Sequence, residues 1–192
     1  MSAIEMFPEA CRAVSDLVAR SAGADLNRPT PCSGYDLRGL IDHAAGTTGA
    51  LARAGSGLGL DPDDPWGGRT AVTDGDWAAA LIANLDAIAT GWSRPEAWTG
   101  SVDTGGHAMP APFIGEMALV EVMLHCWDLA GATGQDLTVS SELGREVRRV
   151  IEQTAELGRQ MGAYGPEVEL TGPATDFERA MAAAGRDPHW AV

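Results

Sequence analysis

The chain has 192 residues, which is the length of one domain with a core of its own. Its formal net charge is −14, because 27 acidic residues outnumber 13 basic ones, and every basic residue is arginine. An acidic chain without a basic cluster excludes a nucleic-acid binder and a protein that docks on anionic membranes.

Apolar residues at helical spacing predict six helices, separated by loops rich in glycine and proline. In chain order, the predicted helices span about 3–22, 36–55, 76–91, 114–132, 141–161 and 176–184. The predicted N-caps are Asp36 for the second helix, Asp74 or Asp76 for the third and Ser141 for the fifth. Between residues 97 and 112, glycines and prolines interrupt the pattern, which predicts a short hairpin or an extended crossover.

This pattern predicts an all-α fold: an up-down four-helix bundle with a short β-hairpin or extended crossover and a small C-terminal helix. We expect residues 1–165 to form the bundle and residues 166–192 to form a C-terminal extension packed on it. The three cysteines are too few and too far apart for a disulfide framework. Since the sequence contains neither a signal-peptide pattern nor an apolar run of about 18 residues, it predicts a cytoplasmic location.

The fourth predicted helix carries the most informative ionisable residues. Glu121, His125 and Asp128 lie on one side of it, because residues three and four positions apart share a helix face. Apolar residues lie beside them and also on the opposite side of the helix, which is typical of a buried helix. Buried ionisable groups are costly unless they are paired or bind a ligand. Either Glu121 and His125 bond to each other or to a neighbouring arginine, or they share a metal ion.

His43 favours the metal interpretation, because it lies at the edge of the apolar stripe of the second helix. In a bundle, an inward-facing histidine on one helix and a Glu-x-x-x-His pair on another can converge on one ion. His43, Glu121 and His125 would supply two imidazoles and one carboxylate and leave one tetrahedral position open, as in catalytic zinc sites. Taken alone, His43 would more often be an ordinary core histidine than a metal ligand.

Two motifs resemble those of a known family. The first is TPCS at 30–33 followed by DLRGLIDH at 36–43, and the second is EVMLHCWDLA at 121–130 followed by ATG at 132–134. Both are similar to motifs of the DinB-like helical-bundle metalloproteins, and most similar to the mycothiol-dependent maleylpyruvate isomerase N-terminal domain group. The closing GRDP at 185–188 resembles the tail of small metal-binding members. The resemblance implies a four-helix bundle in which His43, Glu121 and His125 bind a divalent ion, usually zinc, with water in the open position.

Two departures limit what the resemblance implies about the substrate. Tyr35 stands where the motif more usually has tryptophan. The isomerase also has a separate C-terminal domain that helps to build its active site, whereas only residues 162–192 follow the last long predicted helix here. The resemblance therefore implies the metal site but not the substrate.

We expect a divalent-metal protein that uses a low-molecular-weight thiol such as mycothiol, as an isomerase or transferase acting on a small electrophile. A metal-bound thiol loses its proton, and the thiolate can add to an activated double bond or displace a leaving group. Zinc is the expected metal, although nickel, copper and iron also fit. The alternatives are a non-catalytic metal-dependent binding or regulatory module of the same fold, and a structural bundle with an internal Glu–His hydrogen bond. We expect a small-molecule partner and a monomer or homodimer.

For Cys32 and Asp128, the sequence leaves two possible roles each. Cys32 precedes the second helix and either approaches the metal or packs as a small hydrophobic residue. Asp128 either holds a ligating imidazole or pairs with an arginine. His107 is expected at the surface, and Trp98 or Trp66 is a candidate for the mouth of a pocket.

Overall fold

Helices make up most of the protein. The computed structural model describes residues 2–68 and 70–191. Its helices are α1 (Ala3–Ser21), α2 (Leu37–Gly55), α3 (Trp77–Trp92), α4 (Ala111–Thr133), α5 (Ser141–Gln160) and α6 (Asp176–Ala183). A 3₁₀ turn at Pro95–Trp98 precedes an antiparallel pair of strands, β1 (Ser101–Asp103) and β2 (Ala108–Pro110).

Helices α1 to α4 form the bundle. Both α1 and α2 pack against α3 and α4, so the order around the bundle is α1, α3, α2, α4. Helix α5 lies against α4 and α1, and α6 packs on α5. This arrangement confirms the predicted helical bundle with a short hairpin and a small C-terminal helix. In the described part of the chain, no helix is long and apolar enough to cross a membrane.

The predicted helix starts are confirmed for α2 and α3, and the predicted cap of α5 is wrong by one residue. The side chains of Asp36 and Asp76 accept backbone N–H bonds in the first turns of α2 and α3. In α5 the hydroxyl that accepts the first-turn N–H bond belongs to Ser140 and not to Ser141. The carboxylate of Glu9 in α1 accepts hydrogen bonds from both the N–H and the hydroxyl of Ser140. These bonds hold Ser140 at the start of α5.

Helix α4 lies between α1, α2 and α5 and is longer than predicted. It begins at Ala111 because Pro110 and Pro112 occupy its start, where a missing N–H group costs no helical hydrogen bond. It ends before Gly134, whose φ of 65° only glycine adopts readily. Buried residues occur all round α4, as predicted.

The contact between α2 and α3 depends on two glycines. A Cβ atom at Gly91 would lie 2.9–3.2 Å from backbone atoms of Gly55, and one at Gly55 would lie 2.7 Å from Nε1 of Trp92. Trp92 is fully buried and donates from Nε1 to the carbonyl of Leu51 at 2.9 Å. The two glycines therefore bring the helices close enough for this hydrogen bond.

Gly91→Ala should lower the free energy of unfolding by about 1–3 kcal/mol, because the added methyl group forces α3 away from α2. The control is Gly23→Ala, since no atom lies within 4 Å of its Cβ position. That variant should stay within about 0.5 kcal/mol of the wild type. Urea melts measure both values, and equal stability of the two variants would contradict the close glycine contact.

Candidate metal centre

His43 lies in the second turn of α2 and faces α4. The preceding loop is closed by the hydroxyl of Thr30, which donates to the carbonyls of Cys32 and Tyr35 at 2.9 and 2.8 Å. The ring of Tyr35 stacks on the imidazole of His43 with centroids 5.0 Å apart. The loop therefore covers one face of this imidazole.

Glu121 and His125 lie one turn apart on α4 and approach His43. Nε2 of His125 lies 3.4 Å from Oε2 of Glu121, and Nε2 of His43 lies 4.0 Å from the same oxygen. The two imidazole rings meet edge to face with centroids 4.8 Å apart. One donor atom from each of the three residues lies within 4.8 Å of the others. The structure thus brings together the three residues that the sequence analysis named.

The surroundings of the Oε2 atom of Glu121 indicate whether His43, Glu121 and His125 fit a cation. It is buried and has no hydrogen-bond partner among the described residues, which is costly for a carboxylate oxygen. Zinc binds imidazole and carboxylate at about 2.0–2.2 Å, so two ligands of a tetrahedral ion lie about 3.4 Å apart. The observed separation of His125 and Glu121 is 3.4 Å. The residues present therefore fit a divalent ion.

The cluster shifts the titration of all three groups. Burial by itself would lower the pKa of His125, but the hydrogen bond to Asp128 and the negative charge of Glu121 outweigh burial and raise this pKa to about 9. Burial would raise the pKa of Glu121, whereas the contact with His125 lowers it below the usual value. Burial and the charge of His125 lower the pKa of His43. At neutral pH the metal-free protein therefore holds a proton on His125 and none on His43.

Asp128 holds the other side of the His125 ring. Its Oδ2 accepts the hydrogen bond of Nδ1 of His125 at 3.0 Å and that of Nη2 of Arg186 at 3.2 Å. Arg186 also donates to the carbonyl of Ala184 at 3.0 Å. Asp128 is fully buried, and Arg186 is only 5% exposed. The sequence left open whether Asp128 holds an imidazole or pairs with an arginine, and it does both.

A pocket of about 460 Å³ opens beside the three donors, and we call it the metal-side pocket. Its walls include Cys32, Tyr35, Tyr164 and Arg186 in addition to the donors. Sγ of Cys32 lies 3.6 Å from Nη2 of Arg186, and burial raises the pKa of this thiol. Cys32 is therefore a neutral thiol in the wall and is not part of the three-residue cluster.

The other candidate residues lie outside the three-residue cluster. His107 is exposed in the loop between β1 and β2, as expected. Trp66 lines a groove, which confirms the prediction that Trp98 or Trp66 lies at the mouth of a pocket, and Trp98 packs against two aromatic rings of the core. Two further residues of the site, Tyr164 and Arg186, have no role predicted from the sequence. The available signals were an aromatic residue between glycines and a lone arginine in the GRDP motif.

Most of the chain is similar to known proteins. Residues 7–130 match the family model described as the mycothiol maleylpyruvate isomerase N-terminal domain. The chain belongs to this family. Two uncharacterized proteins of Mycobacterium tuberculosis, from strains CDC 1551 / Oshkosh and ATCC 25618 / H37Rv, are each 29% identical to it over 153 residues. The alignments cover 80% of this chain and 78% of each relative. No solved structure matches the chain.

The family match includes His43, Glu121 and His125, while Arg186 lies beyond it. The three donors therefore lie within the matched part of the chain. Arg186, which bonds to the Asp128 partner of His125, comes from the segment that follows.

Glu121→Gln should remove most of the stabilisation that zinc gives to the folded protein, because glutamine keeps the shape but loses the charge that attracts the cation. With zinc at about 100 times its Kd, the wild type should gain about 2.7 kcal/mol. Urea melts with zinc and with chelator measure this gain as the difference between two free energies of unfolding.

The control for this variant is Glu116→Gln on the same helix, since Glu116 pairs with Arg149 outside the cluster. It should lower the stability equally with zinc and with chelator and leave the gain from zinc intact. If Glu121→Gln behaves in the same way as this control, Glu121 is not a ligand.

Zinc binding should release about one proton per chain near neutral pH. The pKa of His125 is about 9 in the metal-free protein, so the proton on this imidazole must leave when the metal binds. His43 contributes no proton, because its pKa is lowered. The zinc affinity should fall about tenfold for each pH unit below 9. Calorimetry in two buffers of different ionisation enthalpy measures the release, and a value of zero would contradict this role of His125.

Proposed function

We propose that this protein binds one divalent ion, with zinc as the first choice, and uses a low-molecular-weight thiol such as mycothiol to isomerise or modify a small electrophile. The observation that carries the proposal is the convergence of His43, Glu121 and His125 around a buried carboxylate oxygen that accepts no hydrogen bond from the described residues. The description of the family, which names mycothiol, supports the thiol. Nickel, copper and iron would fit the same donors.

The residues of the protein would hold and orient the reactants. Asp128 bonds to Nδ1 of His125 and so leaves Nε2 of that ring free to bind a cation. Three protein donors leave one position of a tetrahedral ion for another ligand. When bound, zinc supplies the positive charge that keeps a thiol deprotonated near neutral pH.

The space beside the donors favours an enzyme over a closed binding module. The metal-side pocket of about 460 Å³ falls within the range of small-molecule sites. The proposal places the reactive ends of the thiol and of the electrophile in this pocket. The thiolate would add to an activated double bond or displace a leaving group. Because small thiols are kept reduced in the cytoplasm, the proposal places the protein there.

The predicted extension, residues 166–192, has a part in this proposal. It contributes Arg186, whose guanidinium fixes Asp128 and lines the metal-side pocket. We therefore regard the bundle and the extension as two segments that build one site.

The proposal is tested with zinc-loaded protein, mycothiol and a panel of electrophiles that includes maleylpyruvate. Elemental analysis should find about one zinc ion per wild-type chain and none in His43→Ala or His125→Ala. Consumption of at least one electrophile should exceed that with mycothiol alone, and both variants should lose this excess. His107→Ala, which removes an exposed histidine outside the cluster, should keep the zinc and the activity.

Two results would contradict the proposal. Stoichiometric zinc in either donor variant would show that the ion binds elsewhere. Zinc bound at the three donors without any thiol-dependent turnover would identify a non-catalytic module of the same fold.

A further inference from the structure

A second opening adjoins the metal-side pocket between α4 and α5. The two openings share Glu121, Ala163 and Tyr164 as walls. The other walls are mainly large apolar side chains: Trp66, Met109, Phe113, Met117, Leu157 and Met161. We call this opening the apolar groove.

Most of the exposed large hydrophobic residues in the described part of the chain lie at these two openings. Trp66, Leu157 and Met161 line the apolar groove and are 38%, 46% and 74% exposed. Tyr35, which is 38% exposed, lines the metal-side pocket. Of the five residues in this class, Leu58 alone lies at neither opening. A connected set of exposed apolar side chains beside a site is typical of a ligand-binding groove.

Tyr164 is the wall between the metal-side pocket and the apolar groove. Its ring packs against α5 at Gly158, where a Cβ atom would lie 2.5 Å from the ring carbon Cδ2. The N–H of Tyr164 donates to the carbonyl of the same glycine at 3.2 Å. The groove therefore has a fixed wall in common with the candidate site, and it reaches Glu121 from the side of α5.

We propose that the apolar groove binds the apolar arm of the electrophile, whose reactive end lies beside His43, Glu121 and His125. This inference rests on the proposed function and names its substrate class. The groove has a volume of about 130 Å³, and an apolar cavity of about 150 Å³ binds benzene. The arm is therefore the size of one aromatic ring or of a short alkyl chain.

The charges around the site favour such a substrate over a small dicarboxylate such as maleylpyruvate. The chain carries a net charge of −14, which repels a dianion. Arg186 lines the metal-side pocket, but its guanidinium is already paired with Asp128. An apolar arm needs no counter-charge, and it gains from leaving water for the groove.

Alkyl hydroxamates test the groove, because their head group binds zinc and their tail length can be varied. Zinc-loaded protein is titrated by calorimetry with straight-chain hydroxamates, from acetohydroxamate to octanohydroxamate. Each methylene group that enters the groove should tighten binding about fourfold, until the groove is filled. The same titrations on the metal-free protein should show much weaker binding of every member of the series.

The double variant Leu157→Asn, Met161→Asn should reduce the gain to less than about twofold per methylene group. It should leave the affinity for acetohydroxamate unchanged, because neither side chain lies at the donors. Leu58→Asn is the matched control, since Leu58 is 66% exposed and lies outside the groove, and it should keep the full gain. Circular dichroism melts verify that the variants fold.

The outcomes separate the two proposals. If acetohydroxamate binds the zinc-loaded wild type but longer tails add nothing, the groove proposal is wrong and the metal site stands. A gain that survives in the double variant, or that is equally large without zinc, also overturns the groove proposal. If the protein takes up no zinc, or acetohydroxamate does not bind to the zinc-loaded form, the proposed function fails and the groove proposal fails with it.

Discussion

The buried carboxylate of Asp128 is the group on which the geometry of the candidate centre depends. Helix α4 is enclosed by α1, α2 and α5, so an ionised side chain on it loses its hydration and needs partners within the protein. Asp128 has two such partners, Nδ1 of His125 at 3.0 Å and Nη2 of Arg186 at 3.2 Å. These bonds fix the orientation of the His125 ring, and they therefore direct its Nε2 toward Glu121.

Arg186 reaches Asp128 because the chain after α5 folds back over the bundle. A capping box starts α6, and Phe177 packs this helix against a tryptophan of α4. Gly185 then adopts a φ of 83°, and its backbone passes so close to Gly165 that a Cβ atom would lie 2.6 Å from the Cα of that residue. This turn requires glycine, and it delivers the next residue to the buried carboxylate. The extension is therefore a structural part of the centre, although the family match ends within α4.

Local rules were sufficient for part of the site, and contacts between distant segments account for the rest. The helical period places Glu121 and His125 on one face of α4. The apolar stripe of α2 indicated that His43 faces the bundle interior. No local rule selects the arginine that pairs with Asp128, because the two residues are 58 positions apart. Tyr164 follows the end of α5, and its position depends on a contact with a glycine rather than on any periodic pattern.

With a divalent ion bound, the charges of the buried cluster would favour one anionic ligand. In the metal-free protein, the carboxylates of Glu121 and Asp128 face the guanidinium of Arg186 and the protonated ring of His125, so the cluster is neutral. A divalent ion that displaces this proton leaves the cluster with one net positive charge. Because buried net charge is costly, a thiolate in the open position would be favoured over water or a neutral thiol. Without Arg186 the ion alone would balance the two carboxylates, and this preference for an anion would be lost.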